Sequence, residues 1–398
     1  MKMSKLKILV FIGYYLPGCK AGGALRTIQN MVSRLSDDFE FLIITRDRDF
    51  GDIEPYPDLS LNNWNSVANS QVFYASSCIL NLSKMIKLLN NTHYDILYLN
   101  SFFDPFFSVL PLLIWRFRLV SRRPCLIAPR GEFSKGAISL KALQKNIYIY
   151  FAKAIKLYSD VHWHASSVYE VEDIRRVFNY SDISINIAQD LTSIHVAPIP
   201  TSVKLSDSEP KPLRIIFLSR ICRKKNLDFL LKVLRTVSQP VVLDVYGPID
   251  DEGYWSFCQR LIKYLPSYIQ IAYYGHVKPE QVHDLFASYD LFAFPTRGEN
   301  FGHVIIESLR AGTPVLVSDQ TPWRSNKEQA LQEISLLDLD AWAAAIDQWA
   351  NLDASNLSQR RAASIAYANR VLHDENIIDQ NRNLFLGVID GGSMACAE

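Results

Sequence analysis

Short apolar runs alternate with segments of helical period through the first half of the chain. Lys7–Gly13 (KILVFIG) reads as a buried strand ending in glycine. Leu25, Ile28, Met31, Val32 and Leu35 then recur at the i, i+3, i+4 spacing of a helix from about 23 to 35. Phe39–Thr45 predicts a second strand. Ile96–Leu99, Cys125–Ala128 and Val161–His164 predict later ones, with helices near 79–91, 139–158 and 167–178. The alternation stops at a polar, proline-punctuated stretch, Pro198–Pro212, and then restarts. Strands are predicted at Arg214–Leu218, Val241–Tyr246, Ile269–Tyr273, Leu291–Pro295 and Pro314–Val317. Helices are predicted near 226–236, 254–264, 279–288, 302–311, 340–350 and 356–388.

Continuous apolar strands separated by helices belong to parallel sheets covered on both faces. The fold class is therefore α/β, with two doubly wound, Rossmann-like domains. The expected divisions are a first domain over 1–200, a linker over 201–212, a second domain over 213–375, and a C-terminal helix with a frayed tail over 376–398. That last helix can pack back on the first domain.

Composition narrows the class. Of 398 residues, 48% are hydrophobic and 21% charged, an ordinary globular balance. A net charge of +1 gives no global pull toward nucleic acid, yet residues 1–200 hold 22 basic against 17 acidic side chains. Six scattered cysteines with no CxxC pair argue for reduced thiols over a disulfide framework or zinc ribbon. The opening segment reads as a strand, not a signal peptide. The longest apolar tract, Phe106–Trp115, is ten residues broken by Pro111, too short for a bilayer span of about 20.

Three segments carry candidate chemistry. In Pro295–Asp319 a strand, a loop and a helix follow in order, so the helix begins at the strand's carboxyl edge, where its amino end suits phosphate or sugar oxygens. Glu299 sits just before that helix and Glu307 eight positions later, about 12 Å along one face at roughly 1.5 Å per residue. The spacing fits one carboxylate for sugar hydroxyls and one for a ribose. It fits equally a capping carboxylate and a solvated helix residue. Arg220 and Lys225 lie on the strand-to-helix loop of the second domain and could neutralise a pyrophosphate, although charge runs are commonly solvated loops. Gly22 and Gly23, at the start of the first helix, permit close backbone approach but do not form the GxGxxG fingerprint.

Together these segments resemble the retaining glycosyltransferases of family four, whose GT-B fold sets two Rossmann-like domains facing across a cleft. The resemblance runs through Pro17 to Gly23, Pro129-Arg-Gly131, His164-Ala-Ser-Ser with Glu170, Ser219-Arg with Lys225-Asn226, Gly275-His-Val, and Glu299-Asn-Phe-Gly with Glu307. It implies that Arg220 and Lys225 hold the donor pyrophosphate. Glu299 with Asn300, Phe301 and Gly302 would contact the donor sugar, Glu307 the ribose, and Gly22–Gly23 the phosphates. Glu299, Arg220 and Lys225 are then the implied catalytic set, with no cofactor and no metal. The Asp47/Asp49 and Asp338/Asp340 pairs read as surface charges. Where many relatives carry a cleft histidine this chain has Arg130-Gly131-Glu132, so Arg130, Glu132 and His164 become candidate acceptor or donor contacts; a satisfied structural histidine is an equal reading of His164.

The implied partners are a nucleotide-sugar donor and a glycan or polyprenyl-linked acceptor of surface polysaccharide biosynthesis. Nucleic acid is not expected. Basic and aromatic residues at 115–123 and 141–156 fit a peripheral contact with a membrane, placing the protein in the cytoplasm or at the membrane's inner face; a solvated helix with its aromatics in the core is the competing reading. A catalytically inactive donor-binding subunit and a GT-B sugar-nucleotide epimerase stand as alternatives.

Overall fold

A computed structural model of the chain describes residues 5–139, 142–179, 183–193 and 211–389. It divides into two compact units, Met1–Ile194 with Asp374–Glu398, and His195–His373. Most of the expected linker (201–210), Lys141 and the tail beyond 389 lie outside the described residues.

Among the described residues, the first unit forms an eight-stranded sheet. Its strands are β1 (Leu6–Phe11), β2 (Phe39–Arg46), β3 (Trp64–Val67), β4 (Ser70–Ala75), β5 (Ile96–Leu99), β6 (Cys125–Ile127), β7 (His162–Ala165) and β8 (Ile185–Ile187). Their order is β3-β4-β2-β1-β5-β6-β7-β8, parallel throughout except where β3 pairs antiparallel with β4. The alternation of side chains explains why β1 is apolar from Ile8 to Phe11 without a break. Ile8 and Val10 pack with Ile28, Met31, Val32 and Leu35 of helix Gly23–Leu35 on one face. Leu9 and Phe11 join Met85 and Leu89 of helix Leu82–Asn91 on the other.

The terminal helix Glu375–Ile389 completes the first of these faces. Phe385 is fully buried, with its ring 5.2 Å from Phe39 and 5.9 Å from Tyr98, and Arg382 bonds Asp38 at 2.8 Å. The expected single helix over 356–388 is two, Ala354–Leu372 and Glu375–Ile389. The break at His373–Asp374 is where the chain passes from one unit to the other.

A polar network runs through the first unit's interior. The Arg130 guanidinium donates to Asn100 Oδ1 (2.8 Å), the Tyr98 hydroxyl (2.6 Å) and Asp190 Oδ1 (2.5 Å). Asp190 also accepts from Thr27, and Tyr98 bonds His164 Nδ1 at 2.7 Å. His164 Nε2 meets the Ala188 carbonyl at 2.8 Å. Burial, and secondarily the Arg130 charge, pushes the His164 pKa down to about 3.

Among the described residues, the second unit forms a six-stranded, wholly parallel sheet. It comprises β9 (Leu213–Leu218), β10 (Val241–Tyr246), β11 (Ile269–Gly275), β12 (Leu291–Phe294), β13 (Val315–Ser318) and β14 (Leu331–Ile334). The order is β11-β10-β9-β12-β13-β14. The sequence pattern missed β3, β8 and β14 because each is an edge strand with few or no buried side chains, and it missed the buried β4 because Ser70 and Gln71 cut its apolar run to four residues.

The histidine makes a pH test. Its folded pKa lies below the unfolded value near 6.5, so the stability it contributes is complete above that value and is lost as pH falls. About 2 kcal/mol of the first unit's stability should disappear between pH 7 and pH 5 from this group alone. In H164Q that part of the pH dependence, read by urea unfolding, should vanish; an unchanged slope would refute the assignment.

Candidate active site

In the second unit the direction of strand addition reverses between β9 and β12. From β9 the chain builds outward through β10 and β11, and from β12 through β13 and β14 on the other side. The loops leaving the carboxyl ends of β9 and β12 therefore diverge, and the crevice between them is where such sheets take ligands. Those loops, 219–226 and 295–302, carry Arg220, Lys225, Glu299, Asn300, Phe301 and Gly302.

Hydrogen bonds tie the two loops together. Asn226 is buried in left-handed backbone (φ 63°); its side-chain amide donates to the Pro295 carbonyl (2.9 Å) and its Oδ1 accepts from Arg297 Nε (2.9 Å). The Arg297 amide donates to the Lys224 carbonyl at 2.8 Å. A third loop, after β13, joins them: Ser318 Oγ donates to the Thr296 carbonyl (2.5 Å) and the Glu299 amide to the Gln320 carbonyl (3.1 Å).

On this frame the Lys225 ammonium meets Glu299 Oε1 at 2.5 Å, and the fully buried Thr296 hydroxyl donates to the same oxygen at 2.9 Å. Both ionic side chains are about seven-eighths buried, and Lys225 Nζ also lies 5.2 Å from the Phe294 ring centroid. Burial pushes the Glu299 carboxyl up, but the charges of Lys225 and Lys224 and the two side-chain hydrogen bonds outweigh it, leaving it below the usual carboxylate range. Burial likewise holds the Lys224 ammonium below its ordinary range, despite Glu299. A compact group of one carboxylate and two lysines thus stands at the crevice.

Gly302 turns the chain into helix His303–Arg310. It adopts φ 82°, and a Cβ there would meet Ile305 Cδ1 at 2.9 Å, so no other residue fits without a shift. Phe301 is buried against Trp323, whose indole N–H donates to the Phe301 carbonyl. Glu307 is half-buried one turn into the helix, within electrostatic reach of Arg310. Arg220 is more open; its Nη1 donates to Asp250 Oδ2 at 3.1 Å. Gly247, at φ 127°, lets the loop after β10 cross close to this one, since a Cβ there would fall 1.9 Å from the Ser219 carbonyl oxygen.

The sequence candidates in the first unit behave differently. Gly22 (φ 80°) caps helix Gly23–Leu35 with open space around it. Arg130, Glu132 and His164 turn inward. Glu132 is held by Ser101 Oγ (2.9 Å) and the amides of Phe102 and Phe103 (2.6 and 3.1 Å). Its pKa is raised by burial. Their polar groups serve the unit's interior. Asp47 and Asp49 require a correction: both are buried, and Asp49 accepts from the amides of Cys19 and Lys20, bracing the loop after β1. A carboxylate that organises backbone donors from 30 residues away has no local signature. Ser318 and Asp250, whose partners lie 22 and 30 residues away, escaped the sequence reading for the same reason.

The family described as "Glycosyl transferases group 1" matches residues 200–367, the span that holds this crevice. This segment of the chain is similar to the group 1 glycosyl transferases. An uncharacterised 41.2 kDa protein from the cps region of Klebsiella pneumoniae is 22% identical over 59% of this chain and 63% of its own. The chain spans less than two thirds of the length of the curated relatives it matches. Among solved structures, the sucrose-phosphate synthase of Thermosynechococcus elongatus superposes with a TM-score of 0.73 at 15% identity, over 97% of this chain and 100% of that one. The Anabaena protein HepE, solved with UDP-glucose, gives 0.67 at 15% identity over the same shares. These likenesses establish the fold as GT-B.

The second unit depends on the Lys225–Glu299 pair for its own stability. Lys225→Met strands the carboxylate with Thr296 and Lys224 and should cost about 3 kcal/mol, with part recovered in K225M/E299Q. A double-mutant cycle by chemical unfolding checks this, and additive effects would mean that the two side chains do not interact.

Proposed function

We propose that the chain is a retaining glycosyltransferase that moves a sugar from a nucleotide-diphosphate donor to a glycan or lipid-linked oligosaccharide acceptor in surface polysaccharide biosynthesis. The observation that carries the reading is the Lys225–Glu299 pair at the reversal point of the second sheet, inside the segment matched by the group 1 family. The cps-region relative supports the polysaccharide setting. HepE, which shares the fold, was solved with a UDP-sugar, which favours a donor of that kind.

Arg220 has an open guanidinium and Lys225 an ammonium already facing a carboxylate, so a diphosphate entering the crevice meets two cations on one loop. Their charge stabilises the nucleotide diphosphate as the bond from the sugar's anomeric carbon to the phosphate oxygen breaks. The acceptor hydroxyl attacks on the face the leaving group vacates, and its proton passes to the departing phosphate oxygen. Glu299, ionised at neutral pH, orients the sugar hydroxyls and need not act as a nucleophile. Glu307 is assigned to the ribose. Cationic side chains supply the leaving-group charge, so the reaction is proposed to need no metal.

Thermal unfolding with UDP, GDP, ADP or CMP should show one nucleoside diphosphate stabilising selectively. The expected gain is about 2.7 kcal/mol at 100 times its dissociation constant, unchanged by EDTA and lost in R220A. E299A should retain nucleotide binding but lose acceptor-dependent nucleotide release. Binding without any coupled release in the wild type would favour the inactive donor-binding subunit.

A further inference from the structure

Helix Ala142–Ala154 of the first unit is apolar on both sides, and only one side is used internally. Ile149 and Ala152 are buried, and Tyr148 reaches the buried Tyr158 hydroxyl at 2.6 Å. The other side carries Leu143, Ile147, Tyr150 and Phe151, continued by Ile155 just beyond the helix. Leu143 is 76% exposed, Tyr150 70% and Phe151 60%. At 100° per residue these positions form one stripe. The expected burial of the helix's aromatics therefore holds for Tyr148 and fails for Tyr150 and Phe151.

The stripe has basic surroundings. Asp160, shortly after the helix, accepts from Arg116 (2.5 Å) and Arg122 (2.7 Å), which brings the 117–123 turn beside the helix's carboxyl end. That turn exposes Phe117, Leu119, Arg118 and Arg123, and Lys156 is exposed next to Ile155. Between positions 105 and 159 the chain has ten Lys and Arg against one acid, Glu132; Arg130 and Glu132 are both bonded in the interior, which leaves nine basic side chains and no acid.

We propose that this stripe and the adjoining 117–123 turn form a docking surface for an anionic lipid bilayer, with the helix lying in the headgroup plane. Long apolar side chains on one face, flanked by guanidinium and ammonium groups, match an acyl boundary below a layer of phosphates. No helix among the described residues is long and apolar enough to cross a membrane, so the contact is peripheral. A second copy of the chain is a poor occupant, because a two-fold contact would press this basic face against itself. The docking surface is independent of sugar transfer, and its test uses neither donor nor acceptor.

Co-sedimentation of the full chain with phosphatidylcholine vesicles, with and without phosphatidylglycerol, tests the proposal. The wild type should pellet with the anionic vesicles at about 50 mM salt, far less at about 500 mM, and weakly with phosphatidylcholine alone. Ile147→Ser/Tyr150→Ser/Phe151→Ser should reduce partitioning at least about 100-fold. Arg118→Gln/Arg123→Gln should reduce it about 30-fold and flatten the salt dependence. All five side chains are exposed, so thermal unfolding of both variants should match the wild type. Wild-type protein left in the supernatant at low salt would overturn the proposal. So would a triple variant that pellets undiminished, or a vesicle-indifferent wild type whose concentration-dependent dimer the triple variant dissolves.

Discussion

A parallel sheet covered on both faces has no open surface except at the ends of its strands. Every strand of the second unit points the same way, so all of its carboxyl ends meet solvent along one edge. The layer of helices closes everything else. Chemistry can be placed only along that edge, and the point where successive strands part to either side is the one gap wide enough to admit a ligand. The positions of Lys225 and Glu299 follow from that constraint before any property of the side chains is considered.

What the side chains add is rigidity under charge. Two lysines and a carboxylate in a half-dry crevice would repel, attract and wander if the loops were loose. Asn226, Arg297, Thr296 and Ser318 prevent that by bonding loop to loop through backbone carbonyls. The carboxylate stays ionised despite burial because its neighbours are fixed. A preorganised set of cations needs little rearrangement when an anion arrives, which is the condition under which electrostatics helps most.

The fold was legible because both sheets are built from strands buried on both faces, and such strands announce themselves as unbroken apolar runs. β5 and β12 are examples, apolar and buried at every position. Edge strands such as β3 and β14 have one neighbour and little buried surface, and so left no trace. The placement of Arg220, Lys225 and Glu299 at the crevice was legible because each lies on a loop that leaves a strand end. The site was not legible where function depends on distant partners. Asp49 reads as a surface charge until the Cys19 and Lys20 amides are seen around it, and Arg130 reads as a ligand contact until Asn100, Tyr98 and Asp190 enclose it. Local pattern reports the burial of an element; it is silent on which loop a polar side chain will reach.

The terminal helix has a consequence for how the molecule is made. Phe385 fills a space between Phe39, Phe41 and Tyr98, residues synthesised more than 280 positions earlier. A ribosome therefore releases the first sheet long before the wedge that closes it. Throughout that interval the growing chain carries an apolar groove open to chaperones or to mispairing, while the second unit, contiguous in the chain, can finish on its own. The helix at 375–389 completes the first unit only after the second has been made.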